Sequence, residues 1–206
     1  MRTSDLPSWP KEERQESREF YSGREFEYDL FGKMDTSSPR YKAELQKIAS
    51  PNGYVSYAKA LELVKKFQSQ DPTNPDKDFL RELRDAVTEK LRLDTAEEME
   101  RIKTFSSLGS PLDKFHGVDA FLAYEENDKE YSVSLDATRR KEKQEEGWKA
   151  DIIISDLPSP EEDEEQYMRE IEKYAEEITE KIKARKRQEK QKAVPRFGRR
   201  EIQNEI

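Results

Sequence analysis

The sequence predicts an α/β or α+β fold, with a small mixed sheet carrying a β-hairpin and helices packed against it. Three observations lead there. Residues 131–137, YSVSLDA, alternate strictly, with Tyr131, Val133 and Leu135 on one face and Ser132, Ser134 and Asp136 on the other. Residues 151–155, DIIIS, hold three consecutive isoleucines, the pattern of a strand buried on both faces. Around these lie segments with apolar residues at helical spacing.

Residues 1–51 read as an arm. Charged and polar residues dominate it, and Pro7, Pro10, Gly23, Gly32 and Pro39 punctuate it. Trp9, Phe20, Tyr21, Phe26, Tyr28 and Phe31 follow no sustained period. The arm is either flexible or a peptide whose aromatics dock on a partner protein or on the chain's own domain.

The domain proper is expected over 52–185. Residues 54–70 read as a helix with Ser56 as N-cap and a stripe of Tyr57, Leu61, Val64 and Phe67. DPTNP at 71–75 breaks it. Residues 76–93 form a second helix, with Phe79, Leu80, Leu83, Val87 and Leu91 on its apolar face. A third, shorter helix starts at Thr95, where Thr95 and Glu98 have capping-box spacing; Met99, Ile102 and Phe105 supply its inner face. SSLGSP at 106–111 ends it.

GVDAFLAY (117–124), the polar turn EENDKE (125–130) and YSVSLDA make the hairpin. A charged crossover or loop from Thr138 to Ala150 leads to the triple-isoleucine strand. The last helix runs over roughly 160–190 with Tyr167, Ile171, Tyr174, Ile178 and Ile182 as its stripe. Residues 156–182 carry eleven acids and three bases, and residues 183–200 nine bases and one acid. That order suits the helix macrodipole, and the basic end is also placed to touch phosphates. Residues 186–206 read as a basic, loosely ordered tail.

Composition excludes several functions. There is no cysteine and one histidine, His116, so disulfide scaffolds, cysteine nucleophiles and multi-histidine metal sites are out. No apolar run is long enough to span a membrane, and the N-terminus has no signal-peptide apolar region; a cytoplasmic location is expected, without membrane contact. A net charge of −8 argues against coating nucleic acid by bulk charge, though not against a local basic site. The glycine-rich phosphate loops and the zincin motif do not occur.

Two aspartates carry the chemical lead. Asp119 lies at the start of the first hairpin strand and Asp136 near the end of the second. Antiparallel pairing brings those ends together, so both carboxylates reach the same end of the sheet. Such a pair suits a hard cation such as Mg²⁺, which activates water and stabilises a phosphoryl transition state. His116, three residues before Asp119, is either a loop histidine or a general base or substrate contact.

Gly117-Val118-Asp119, the hairpin, and Ser134-Leu135-Asp136-Ala137-Thr138 resemble the core of the PD-(D/E)XK nuclease-like superfamily, as does the order helix, hairpin, crossover, buried strand, helix. The resemblance covers about 95–180. It implies a restriction-endonuclease-like fold, Asp119 and Asp136 as metal-binding catalytic acids, Mg²⁺ as cofactor and nucleic acid, DNA first, as substrate. In that family a lysine follows two residues after the second acid; here Thr138 stands there, and Val118 replaces a proline. The resemblance leaves Lys149 or Arg140 to supply the lysine's charge, with Thr138, Arg139 and Arg140 at the substrate. It also implies a helical acid, for which Glu89, Glu97 and Glu98 are candidates. The alternative is a non-catalytic binding or assembly protein on a degenerate fold of this kind, favoured by Thr138 and the acidic composition.

Overall fold

The computed structural model describes residues 23–139, 150–155 and 157–193. A four-stranded mixed sheet lies between helices, in the strand order β1-β2-β3-β4. The strands are β1 (Ile102–Ser106), β2 (Ala120–Glu126), β3 (Lys129–Thr138) and β4 (Ile152–Ser155). The first three form an antiparallel meander, and β4 runs parallel to β3, Leu135 pairing with Ile152. The hairpin turns on Asn127 and Asp128, both at positive φ, the type I′ geometry for a two-residue loop.

The helices are α1 (Gly23–Phe31), α2 (Pro39–Ile48), α3 (Tyr57–Phe67), α4 (Asp78–Leu91), α5 (Ala96–Met99), α6 (Pro111–His116) and α7 (Pro160–Ala193). Each sheet face has its own core. Ala120, Leu122, Val133, Leu135, Ala137, Ile152 and Ile154 pack against α4 and the stripe of α7. On the other face Phe105, Phe121 and Ala123 pack against α2, α3 and α6. The expected burial of the isoleucine strand on both faces is not met: β4 is an edge strand whose Ile152 and Ile154 enter the first core, while Ile153 on the opposite side stays half-buried. No helix among the described residues is long and apolar enough to cross a membrane.

Several sequence expectations shift. The stripe of α3 is Ala60, Leu63 and Val64, with Leu61 and Phe67 half-buried and Tyr57 exposed. The capping box at Thr95 and Glu98 forms, but α5 stops at Met99. Ile102 and Phe105, expected on that helix, belong to β1 and point to opposite cores. Their three-residue spacing mimics a helix, but the β-branched Ile102 and Thr104 pair instead with Tyr124 and Leu122 of β2. Inside the segment 1–51, residues 23–48 hold two helices. Leu30 and Phe31 enter the first core, Met34 and Tyr41 the second. Gly32 at φ +73 turns the chain between α1 and α2. Trp9, Phe20 and Tyr21, like the tail beyond 193, lie outside the described residues. Before that, α7 runs continuously through residue 186.

Phe31 is fully buried, edge-on to Phe79 with ring centroids 5.9 Å apart. Phe31→Ala is therefore expected to destabilise the domain by about 3–5 kcal/mol. Urea unfolding checks it, and a change near zero would mean that α1 does not belong to the core.

Candidate functional site

Asp119 is positioned by its backbone before its side chain matters. Gly117, in the left-handed region at φ +60, ends α6 and turns the chain toward β2. The Asp119 N–H donates to the Leu135 carbonyl at 2.9 Å, and the Ser107 N–H donates to the Asp119 carbonyl at 2.8 Å. Asp119 is thus clamped between the end of β1 and β3. The β2–β3 ladder ends with Ala120 opposite Leu135, and Asp119, whose N–H still reaches the Leu135 carbonyl, lies just beyond it next to Asp136.

The side chains meet. Asp119 is 3% exposed, and its Oδ2 accepts from the Ala137 N–H at 3.0 Å. Burial pushes its carboxyl up to about 9; the hydrogen bond to Asp136 and the charges of Asp136 and Glu27 add to the rise, and the Ala137 N–H opposes it. The rise is shared with the hydrogen-bonded Asp136, so the two carboxyls titrate as a coupled pair.

A third acid arrives from α1. Glu27 is also raised by burial, against the lowering effect of Arg24, with Asp113 and Asp136 adding repulsion. The Arg24 guanidinium donates to Glu27 Oε2 at 2.9 Å and Asp113 Oδ2 at 3.0 Å, and its Nε to the Tyr28 hydroxyl at 3.2 Å. Glu27, rather than Glu89, Glu97 or Glu98, is the helical acid whose charge acts on Asp119. Glu98 is committed to the Thr95 cap, and Glu89 and Glu97 are exposed on α4 and α5. Glu27 escaped the sequence reading because α1 did; the available signal was Phe26 and Leu30 at a spacing of four, bracketing it.

The remaining expected residues divide. Thr138 is buried at the end of β3 opposite Ser155, on the polar face it shares by alternation with Ser134 and Asp136. Arg139 follows it directly. Arg140 and Lys149 lie outside the described residues. His116 does not turn to the acids: its Nε2 donates to the Val55 carbonyl at 2.9 Å. Among the described residues no three His, Cys, Asp or Glu side chains are grouped to hold a metal ion. The oxygen-only donor set of Asp119 and Asp136 nevertheless fits a hard cation that keeps most of its waters. Asp119 and Asp136 are the residues that would hold such an ion, after loss of a proton.

A second aspartate site contrasts with this one. Burial pushes Asp151 up, but the Ser134 N–H at 2.9 Å and the Arg185 guanidinium outweigh it and hold the carboxyl below its usual range. Arg185 reaches both carboxylate oxygens, at 2.8 and 2.9 Å, and also donates to the Ser132 carbonyl. No protein family, curated protein or solved structure matches this chain.

An acid whose folded pKa lies above its unfolded value binds an extra proton in the folded state between the two. Stability therefore falls as pH rises from about 4 toward about 9. Asp119→Asn keeps the acceptor for Ala137 and an N–H donor for Asp136, without the titrating proton. The variant is expected to gain stability over the parent as pH climbs through that window and to level off above it. Urea unfolding across the range reads this directly, and a pH-independent difference would rule out a buried neutral Asp119.

Proposed function

We propose that this protein is a metal-dependent nuclease-like enzyme that hydrolyses phosphodiester bonds in nucleic acid, DNA first, in the cytoplasm. The observation that carries the reading is the buried Asp119 carboxyl against the half-buried Asp136, with the Glu27 charge beside them. Placing acids together in low dielectric costs stability, and the neighbouring cation Arg24 is spent on Glu27 and Asp113. Pairs of this kind cluster at functional sites.

In this reading the fold is restriction-endonuclease-like, as the Gly117–Asp119 and Ser134–Thr138 segments suggest. Asp119 and Asp136 hold Mg²⁺, which when bound polarises the phosphoryl oxygen and makes water a nucleophile at neutral pH. Glu27 orients water on the α1 side. Arg139, Arg140 and Lys149 meet the phosphates, and Lys149 or Arg140 supplies the charge that Thr138 lacks. Thr138 also supports a second reading. A buried uncharged side chain in that position, beside a carboxyl that keeps its proton, suits a non-catalytic assembly protein that uses the segment before residue 23 for contact.

Calorimetry separates the two. The nuclease reading expects Mn²⁺ to bind more tightly than Mg²⁺. It expects Asp136→Ala to remove binding and reduce cleavage of plasmid and single-stranded DNA to background. Glu27→Gln should weaken metal binding by about tenfold or more. Wild-type protein that binds neither ion at about millimolar concentration would remove the catalytic reading.

A further inference from the structure

The solvent side of α7 changes sign halfway along. Asp163 departs from helical φ/ψ, and from there to Ala193 the helix is continuous over about 45 Å. Residues 164–180 hold seven acids and two bases, and residues 181–193 seven bases and one acid. Tyr167, Ile171, Tyr174, Ile178 and Ile182 look into the first core. Glu172, Glu176, Glu180, Lys183, Arg187 and Lys190, at spacings of 4, 4, 3, 4 and 3, run along the opposite side, and all six are exposed. The line begins with Arg169, which is paired to Glu165 at 2.7 Å.

The helix dipole does not account for this order. Its influence fades within the first and last turns, whereas Glu172, Glu176 and Glu180 lie in the middle of the helix and Lys183 ten residues before its end. Within one chain the arrangement costs stability, because like charges four residues apart repel: Glu172 and Glu176, Glu176 and Glu180, Lys183 and Arg187. The chain's own counter-charges are too few. Lys90 of α4 serves both Glu172, at 2.7 Å, and Glu176, at 3.5 Å. Lys183 and Arg187 both turn to Glu180, at 3.0 and 3.7 Å. The Glu176 side chain remains 59% exposed and that of Arg187 66%.

We infer that this face pairs with the same face of a second copy of the chain, the two α7 helices lying antiparallel about a twofold axis. The order of charge selects the occupant. A nucleic-acid backbone carries one sign throughout, so the acidic half repels what the basic half attracts. A partner that lies along the whole face must run basic and then acidic, and α7 read in reverse does so. With the axis level with Lys181 and Ile182, Glu180 meets Lys183 of the second copy, Glu176 meets Arg187 and Glu172 meets Lys190. Twofold symmetry makes each contact twice. The overlap spans about 28 Å of helix. Exposed ion pairs contribute little singly and this contact has no apolar centre, so the dimer is weak and salt-sensitive rather than obligate.

Sedimentation velocity on the full chain tests the pairing at about 0.1 M and about 1 M salt, where screening lengths are about 10 Å and about 3 Å. A monomer–dimer equilibrium is expected at the lower salt, weakened by about tenfold or more at the higher. Glu172→Lys with Glu176→Lys makes both halves basic, and Arg187→Glu with Lys190→Glu makes both acidic. Each double variant should be monomeric alone, and an equimolar mixture of the two should dimerise, with circular dichroism unchanged. Should either variant fail to fold, the wild type decides. Carbodiimide joins carboxylates to lysines, and in a mixture of isotope-labelled and unlabelled chains it should link Glu172 of one chain to Lys190 of the other. Wild type that stays monomeric up to about millimolar concentration overturns the pairing. So does a dimer indifferent to salt, a variant that dimerises alone, a mixture of folded variants that stays monomeric, or interchain crosslinks elsewhere. A monomeric wild type that binds duplex DNA through Lys183, Arg187 and Lys190 would give the basic half to phosphate instead.

Discussion

The two-residue turn at Asn127 and Asp128 decides which residues of β2 and β3 face each other. From Glu126 opposite Lys129 the ladder runs without a bulge to Ala120 opposite Leu135. Just beyond that pair the Asp119 N–H still bonds the Leu135 carbonyl, and its side chain meets that of Asp136. A slip of one residue would put Asp136 among Val133, Leu135 and the isoleucines of β4, against the apolar stripe of α7. The two faces of β3 thus reinforce the turn: Val133, Leu135 and Ala137 belong to a core, while Ser132, Ser134, Asp136 and Thr138 do not. The pairing of the two acids follows from a register that the hydrophobic effect already enforces.

The two cores differ in what they cover. On the α4 and α7 side, side chains of all four strands are buried together. On the side of α2, α3 and α6, the core takes residues from β1 and β2 and none from β3 or β4. On β3 that half-face is polar, with Ser132, Ser134, Asp136 and Thr138, and β4 adds the half-buried Ile153. The polar groups there are satisfied by hydrogen bonds, such as those of Ser134 with Asp151, rather than by apolar cover. The acidic pair, Thr138 and the hydroxyl end of Tyr57 all adjoin this polar half. A fold that leaves one half-face without apolar packing has room there for chemistry without dismantling its core.

Legibility in the sequence tracked how local the signal is. The hairpin, the isoleucine strand, the Thr95 capping box and the stripe of α7 each depend on residues close in the chain, and each was readable. β1 was not, because Met99, Ile102 and Phe105 fit a helical period as well as two of them fit a strand edge. Only pairing with β2 decides between the two. α1 and α2 were missed too. α1 is short, with Leu30 and Phe31 held in the core, whereas α2 had a local signal, the Ser38 N-cap followed by Pro39 at its start. Asp119 and Asp136 could be placed at one end of the sheet from antiparallel topology alone, whereas Glu27 joins them from about ninety residues away, across a contact no local pattern encodes.

Sequence alone also cannot rank the three aspartates of the sheet, and the structure can. Asp151, like Asp119, lies beside a strand end and accepts a backbone N–H. Asp151 additionally receives the Arg185 guanidinium, which compensates the charge, and the result is an ionised carboxylate that ties α7 to the open edge of β3. Asp119 receives a second carboxyl where Asp151 receives a cation, and ionisation is suppressed. A structural role explains the first arrangement completely, since the ion pair and its hydrogen bonds satisfy every partner. It does not explain the second, because an asparagine would meet the Ala137 N–H and Asp136 equally well without the burden of a buried acid. Retaining two acids there makes sense if something positively charged takes the proton's place. That difference in partners, more than the spacing of the aspartates, is what supports proposing Asp119 and Asp136, rather than Asp151, for the chemistry.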